Sequence, residues 1–490
     1  MMGQHQPQNE LFSYSVNLDK RVRCDHPLRR ILQVVDFSFV HGAVAGAYGY
    51  NGHESVDPVI ILKMMLLLFL DNVESERELM RIIAERLDYL WFLGMGLDDE
   101  IPDHSVLSKA RKRWGPELFR DLFVRVVAQC VDAGLVRGDK IHMDGSLVDA
   151  DASKASVVKG SPELIAQLRK VYEGEERKLE DRGNVHNPNM EKINERAMST
   201  TDPDSALVNK DGNCRLRFKH HRAVDDAHGV ITAVKTTAGD AKENGQMMAL
   251  VVQHEANTEV EVTTVIGDCQ YGTAENMRAC AQQDIRCHLG DFREKQEGKG
   301  RREGIYDEDD FVYAEATDTY RCPAGQTLTR RKHKTKRRAF EYAAAASVCR
   351  ACPLRSQCTR ANGTARSIKR HEGQEWIDRA RGQSRSHAAV RDRIRRRWLM
   401  EGSFADAANN HGFKRARWRR LWRQTIQDYM IATVQNIRIL LRHGAGPANA
   451  AARGPASLEN SDLTDVASSC PPQMIFTTSR GELITTCSSN

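Results

Sequence analysis

No stretch of this chain stays apolar for the roughly 20 residues that a bilayer crossing requires. The longest apolar run is Val59 to Leu70, and Lys63 interrupts it. Asp57-Pro58 just before it supplies an N-cap and a proline at the first helical position, so the run reads as a buried helix rather than a membrane span. The opening residues, MMGQHQPQNE, lack the basic and apolar composition of an export leader. Secretion is therefore not expected. The 12 cysteines then read as free thiols and metal ligands of a reducing cytoplasm rather than as a disulfide framework. A large excess of one charge is also missing, since 72 Lys and Arg stand against 66 Asp and Glu for a net charge of +6.

The charge that is present is unevenly placed. Arg330 to Arg338 reads RRKHKTKRR, and Arg391 to Arg423 holds eleven Lys or Arg against three acids. Clustering of this kind points to a polyanionic partner, although a charge run by itself can be no more than a solvated face. With 490 residues and 40% hydrophobic content, the chain has material for two or three domains with a real core.

Apolar spacing at the helical period recurs in Leu28 to Phe39, Val59 to Leu70, Glu76 to Leu87 and Pro116 to Ala133, with Gly134 as a stop. Val106 to Arg113, capped by Pro102-Asp103-His104-Ser105, reads as a helix with a basic face, suited either to DNA or to solvent. From Asp139 the period changes to that of strands: Lys140 to Met143, Cys214 to Val224, Gly229 to Thr237 and Val260 to Ile266. Asp225 to Gly229 is turn chemistry that makes the second and third of these a hairpin, and a helix over about Glu243 to Ala256 crosses to the fourth. Ala152 to Asn213 reads as helix plus mobile loop. The pattern is helical again over Ala388 to Asn410 and Gln424 to Leu441.

Three acids stand out. Asp144 follows Ile141-His142-Met143 and precedes Gly145-Ser146, Asp268 follows Val265-Ile266-Gly267, and Glu401 lies in the helical stretch Arg395 to Glu401. A lone aspartate after a strand is commonly a turn or cap residue, and a glutamate four residues after Arg397 can be its ion-pair partner. Together, three carboxylates from separate elements suit a pair of hard Mg²⁺ or Mn²⁺ ions, and the ends of α/β strands are where ligands bind. His142 could support Asp144 but reads first as an ordinary strand residue.

The order Asp-Gly-Ser, Gly-Asp-x-x-Tyr-Gly and Arg-x-x-x-Glu resembles the DDE transposases of bacterial insertion sequences. The resemblance runs from about residue 27 to 442. It takes in Tyr50-Asn51-Gly52-His53 to Asp57-Pro58, Trp91-Phe92-Leu93-Gly94, Pro102-Asp103-His104-Ser105, Thr201-Asp202-Pro203-Asp204 and Gln435-Asn436-Ile437. It implies an α/β fold, with an RNase H-like mixed sheet as catalytic core, an all-α N-terminal domain and a small cysteine-containing insertion. It further implies that Asp144, Asp268 and Glu401 bind Mg²⁺ (or Mn²⁺) and catalyse DNA cleavage and strand transfer at terminal inverted repeats and a target. The enzyme would be a homodimer or higher oligomer when synapsed on DNA, in the bacterial cytoplasm with the nucleoid. The family's lysine seven residues after the glutamate is Ala408 here, and its tyrosine three residues before the arginine is Ile394. Arg397, Lys414, Arg415 and Arg417 are then the expected DNA contacts. The alternatives are an RNase H-like nuclease without strand transfer and a catalytically inactive descendant that only binds DNA.

Cys349-x2-Cys352-x5-Cys358, with Cys322 upstream, lies in a polar segment with little core of its own. This spacing suits a structural Zn²⁺ site, with an iron-sulfur cluster as the alternative and metal-free packed thiols as the plain reading. Cys24, Cys130, Cys214, Cys269, Cys280, Cys287, Cys470 and Cys487 show no ligand spacing. The expected organisation is a helical DNA-binding domain over 1–137, a catalytic core over 138–286 and 384–442, the cysteine-bearing insertion over 287–383, and a disordered tail over 443–490.

Overall fold

The computed structural model describes residues 16–49, 54–179, 194–290, 304–335, 338–361 and 363–443. The tail expected to be disordered and the Tyr50 to His53 motif lie outside these residues.

Eight helices come first: α1 (Leu18–Arg21), α2 (Pro27–Val34), α3 (Phe39–Val44), α4 (Pro58–Leu70), α5 (Glu76–Glu85), α6 (Leu87–Leu93), α7 (Ser105–Trp114) and α8 (Glu117–Asp132). The start of α4 is the one expected from sequence: Asp57 Oδ1 accepts a hydrogen bond from Val59 N at 2.7 Å and Pro58 occupies the first turn. Almost every residue of α4 is buried, which explains why it is apolar on all sides. Shortening Leu66 or Leu67 to alanine there should cost about 2–5 kcal/mol. No helix among the described residues is long and apolar enough to cross a membrane.

The large sheet is built from β1 (Lys140–Asp149), β4 (Ala206–Lys210), β5 (Asn213–Asp225), β6 (Ile231–Ala238), β7 (Thr264–Gly267) and β8 (Arg286–Leu289). A two-stranded ribbon, β2 (Val157–Lys159) with β3 (Ala197–Ser199), and helix α9 (Pro162–Leu179) lie between β1 and β4. Across the sheet the order is β6-β5-β1-β7-β8, and β4 extends the β6 edge by pairing with the first residues of β5. β5 is antiparallel to β1 and β6, whereas β7 and β8 run parallel to β1. The parallel pairs need crossovers, supplied by α10 (Met247–Thr258) and α11 (Ala274–Gln282). This is a mixed sheet with helices on both faces, as expected from the sequence.

Alternation along the strands assigns the two faces. Val148, Leu216, Phe218, Val224, Ile231 and Val234 join the core of the front helices, which also takes in Met400, Ala407 and much of α16 (Leu421–His443). Ile141, Met143, Ala223, Ala233 and Val265 pack on α10, α11 and α14 (Gln374–Ser384). The front helices therefore share one apolar core with the sheet and the C-terminal helices.

A second, five-stranded antiparallel sheet, β9 (Val312–Ala314), β10 (Thr319–Arg321), β11 (Thr327–Lys334), β12 (Ala339–Ala343) and β13 (Ser367–His371), has its own small core around Phe311, Tyr320, Leu328, Tyr342 and Ile368. Two short helices, α12 (Ala346–Arg350) and α13 (Arg355–Cys358), carry Cys349 and Cys358, and Cys352 lies between them. β8 pairs with β7, and α14 packs against β8 and α11, so both ends of the segment 287–383 belong to the layers of the large sheet. Helix α15 (His387–His411) then returns across β1, β7 and β8.

Candidate active site

Strand register brings two aspartates together. Ile141 lies opposite Val265 and His142 opposite Ile266 in the parallel pair β1-β7, so Asp144 and Asp268 stand at the same level two residues on. Asp268 follows the last residue of β7, as expected. Asp144 does not end its strand: β1 continues to Asp149, paired with β5 and, at Asp149, bridged to Arg415. What ends at the level of Asp144 is β7, so a strand end still makes the opening.

Glu243 joins them. It begins a single 3-10 turn, Glu243–Gln246, between β6 and α10. One oxygen of each carboxylate of Asp144, Glu243 and Asp268 lies within 4.8 Å of the others. Among the described residues no other group of three His, Cys, Asp or Glu side chains is so close. Gly145 permits the approach: a Cβ there would lie 3.0 to 3.2 Å from Glu243 Cδ, Cγ and Oε1. Asn276 ties the two loops, its Nδ2 donating to Asn244 O at 3.0 Å and to Tyr271 O at 2.9 Å.

The charge balance is unfavourable without a cation. Three ionised carboxylates at this spacing repel by about 3 kcal/mol per pair at an effective dielectric of 20. Burial pushes the Asp144 carboxyl above the usual range, with Asp268 adding to the rise and Arg396 opposing it. Burial does the same to Glu243, opposed by Lys219 and reinforced by Asp144 and Asp268. Arg396 Nη2 lies 2.9 Å from Asp144 Oδ1 while its Nε donates to Met143 O at 2.8 Å. Lys219 Nζ is 3.6 Å from Glu243 Oε1. Asp268 Oδ1 accepts from Gln270 N at 2.8 Å. Tyr271, three residues on, is fully buried, and its hydroxyl has no hydrogen-bond partner among the described residues.

Glu401 is not in this group. The side of α15 that meets the sheet carries Arg396, Met400 and Ser403, and a helix turns about 100° per residue. Glu401 therefore falls on the exposed side with Arg397 and Trp398. His142 does not reach Asp144 either: its Nε2 is 2.8 Å from Asp226 Oδ1, which Arg395 also binds.

The expected DNA contacts divide. Arg397 and Arg415 are exposed, and Arg415 lies with Arg215, Arg419 and Lys154 around a cleft of about 610 Å³ at the end of β1. Lys414 is exposed and its Nζ donates to Ser146 Oγ at 2.7 Å, two residues beyond Asp144. Arg417 is turned inward: its guanidinium donates to Asn72 Oδ1 at 2.8 Å and to the carbonyls of Val73 and Glu74, because the loop between α15 and α16 packs on the Asn72 to Glu74 turn. In α7, Arg111 is likewise buried, paired with Glu76 and stacked on Trp418. In the 330s run, His333 and Arg338 pair with Glu372 and Lys334 with Glu341.

Other residues position the site: Arg222, which the sequence did not single out, and residues of the Thr201 to Asp204 and Gln435 to Ile437 motifs. Arg222, the register partner of Asp144, is wholly buried and donates to Ser403 Oγ at 2.7 Å and Gln435 Oε1 at 3.1 Å, joining β5 to α15 and α16. Burial lowers its guanidinium to about 9. Asn436 completes the edge of β6, accepting from Ile231 N and donating to Ile231 O. Asp202 and Asp204 accept from the backbone N–H groups of Arg420 and Leu421 and so hold the start of α16. Glu243 offered no motif: it reads as an ordinary first-turn acid of the crossover helix.

The four cysteines of the insertion, Cys322, Cys349, Cys352 and Cys358, line one small apolar cavity of about 30 Å³. Gln326 N lies 3.3 Å from Cys322 Sγ, in a turn where Gly325 has φ +77°. Burial and the three other thiols push the Cys358 thiol up. No three of these sulfurs approach one another as closely as the carboxylates do.

Two family models match the chain: a transposase domain (DUF772) over residues 16–113 and a transposase DDE domain over residues 321–441. No curated protein matches. A solved structure of a piggyBac transposase synaptic complex with hairpin DNA is similar over 85% of this chain and 75% of that one, with 11% identity and a TM-score of 0.36.

Proposed function

We propose, from the matches to a transposase domain and a transposase DDE domain, that this chain is a DDE transposase that binds the terminal inverted repeats of its element, cuts there and joins the ends to target DNA by metal-dependent phosphoryl transfer. The observation that carries this reading is the pairing of Asp144 with Asp268 by strand register on an RNase H-like sheet. The two carboxylates, crowded with a third, suit Mg²⁺ or Mn²⁺. Such ions, when bound, would activate a water or a DNA 3′-hydroxyl and stabilise the leaving oxygen of an in-line displacement. Arg396 holds Asp144 in place from α15. Arg397, Lys414 and Arg415 take backbone phosphates, with Lys414 next to the reacting strand. Glu401 is the third ligand by resemblance, carried on the exposed side of α15. The protein acts as a dimer or higher oligomer on DNA in the bacterial cytoplasm.

Cys322, Cys349, Cys352 and Cys358 hold a structural Zn²⁺ in this reading. Four thiols lining one small apolar cavity could supply all four ligands of a tetrahedral site, which fits a folding role rather than chemistry.

The test is incubation of the full-length protein with Mg²⁺ and the DNA flanking its gene. Cleavage at inverted repeats, followed by joining to a second DNA, is the expected result, and Asp144→Asn should lose both. Cleavage without joined product would favour a nuclease, and DNA binding without cleavage at any metal concentration would favour an inactive descendant.

A further inference from the structure

We infer that Glu243 is a ligand of the cation held by Asp144 and Asp268, with the Tyr271 hydroxyl as a neutral donor to what that cation carries. The inference rests on the reading above, that Asp144 and Asp268 bind metal. It adds a residue which neither the sequence motifs nor the family matches assign.

Three independent observations converge. The first is position: the Glu243 carboxylate comes from a different element than either aspartate, yet its oxygen lies within 4.8 Å of theirs. The second is construction. Glu243 packs directly over Gly145, where an added Cβ would press on it at 3.0 to 3.2 Å, and Asn276 joins the Glu243 turn to the Asp268 loop. A surface acid that merely happened to be near would need neither. The third is Tyr271. Its hydroxyl is fully buried without a partner, and the acids that act on it electrostatically are Glu243, Asp144 and Asp268. A buried hydroxyl left without a partner costs about 1–3 kcal/mol, so its persistence beside three acids points to an oxygen ligand that completes the site.

Lys219 is the competing explanation, since Glu243 could serve only as its ion-pair partner. The pair is 3.6 Å apart, and Lys219 Nζ already donates to Ala241 O at 2.8 Å. Arg396 and Arg222 act on Asp144 and Lys219 acts on Glu243, so each cation serves one carboxylate, whereas a divalent cation would be shared by all three.

The experiment is Mn²⁺ binding to DNA-free, full-length protein, read by loss of the free-ion electron paramagnetic resonance signal. Thermal melting without metal serves as the folding control. Wild type, Asp144→Asn, Glu243→Gln, Gly145→Ala, Tyr271→Phe and Glu401→Gln are compared. Glu243→Gln is expected to weaken Mn²⁺ binding by about tenfold or more, as metal-site substitutions do. Gly145→Ala, which keeps every carboxylate and crowds Glu243 by a few tenths of an ångström, is expected to weaken it as well and stands in if Glu243→Gln melts early. Tyr271→Phe is expected to cost about two- to tenfold, the range of one hydrogen bond. If Asp144→Asn loses Mn²⁺ while Glu243→Gln and Gly145→Ala keep wild-type affinity, Glu243 is not a ligand and the inference is overturned, leaving the two aspartates in place. Loss in Glu401→Gln with retention in Glu243→Gln overturns it in favour of Glu401. Unchanged affinity in Asp144→Asn would overturn the underlying reading itself.

Discussion

The carboxylate cluster and the thiol cluster, both proposed above as metal sites, are built in opposite ways. The carboxylates sit on a sheet whose two faces are buried in large cores, so their elements are fixed whether or not an ion is present. They are half-exposed, drawn within 4.8 Å, and open to a ligand. The four thiols line a small apolar cavity beside a small sheet whose own core has only a few large side chains, and they stand further apart. A site for chemistry can therefore be emptied at little structural cost, whereas a site that supplies folding free energy cannot.

The sharpest break between the two is expected from their ligand variants. Asp144→Asn or Asp268→Asn should abolish DNA cleavage while leaving the melting temperature and the affinity for element ends nearly unchanged, because phosphate contacts elsewhere supply most of the binding. Glu401→Gln should do the same if the resemblance carries over. Near-normal cleavage in any of the three would remove that residue from the site. Cys352→Ser should have the reverse profile: loss of about one zinc per chain and rapid proteolysis within residues 304–371, with the rest of the chain resistant. An equally resistant, metal-free insertion would sink the zinc reading, and a brown protein containing iron and sulfide would replace it with a cluster.

Smaller effects separate surface from interior arginines. Arg417→Gln should destabilise the fold by about 1.5–3 kcal/mol, since its guanidinium holds the Asn72 to Glu74 loop, and should change DNA binding little. Arg415→Gln should leave the melting temperature alone and lower the salt dependence of DNA binding by about one phosphate contact. The same result for both variants would show that the inward and outward assignments are wrong.

The smallest effect concerns pH. Asp202 is buried at the start of α16, and burial, reinforced by Asp204, raises its carboxyl to about 7. Between about pH 4 and 7 the native protein keeps a proton that the unfolded chain has released. This contribution to stability is complete at low pH and is lost as pH rises through about 7. Asp202→Asn removes the titration and keeps an acceptor for Arg420 N, so the drop in melting temperature from pH 5.5 to 8 should shrink. An unchanged drop would mean that Asp202 titrates normally.

The sequence by itself determined a good deal. The apolar run after Asp57-Pro58 could only be a buried helix, and the change of period at Asp139 marked where the sheet begins. Asp268 was legible because a short apolar strand ending in Gly-Asp leaves the carboxylate at a strand end. The cysteine spacing likewise placed four thiols around one cavity. Tertiary structure decided what depends on register and rotation. Asp144 meets Asp268 because β1 and β7 pair in parallel, which no local pattern encodes. Glu243 reaches them because a glycine on another strand leaves room. Arg417 points inward because the loop between α15 and α16 packs on the Asn72 to Glu74 turn, and Glu401 points outward because α15 is turned by packing on the sheet. A basic or acidic residue on a helix has the same local sequence on either side, and only its neighbours in space choose between them.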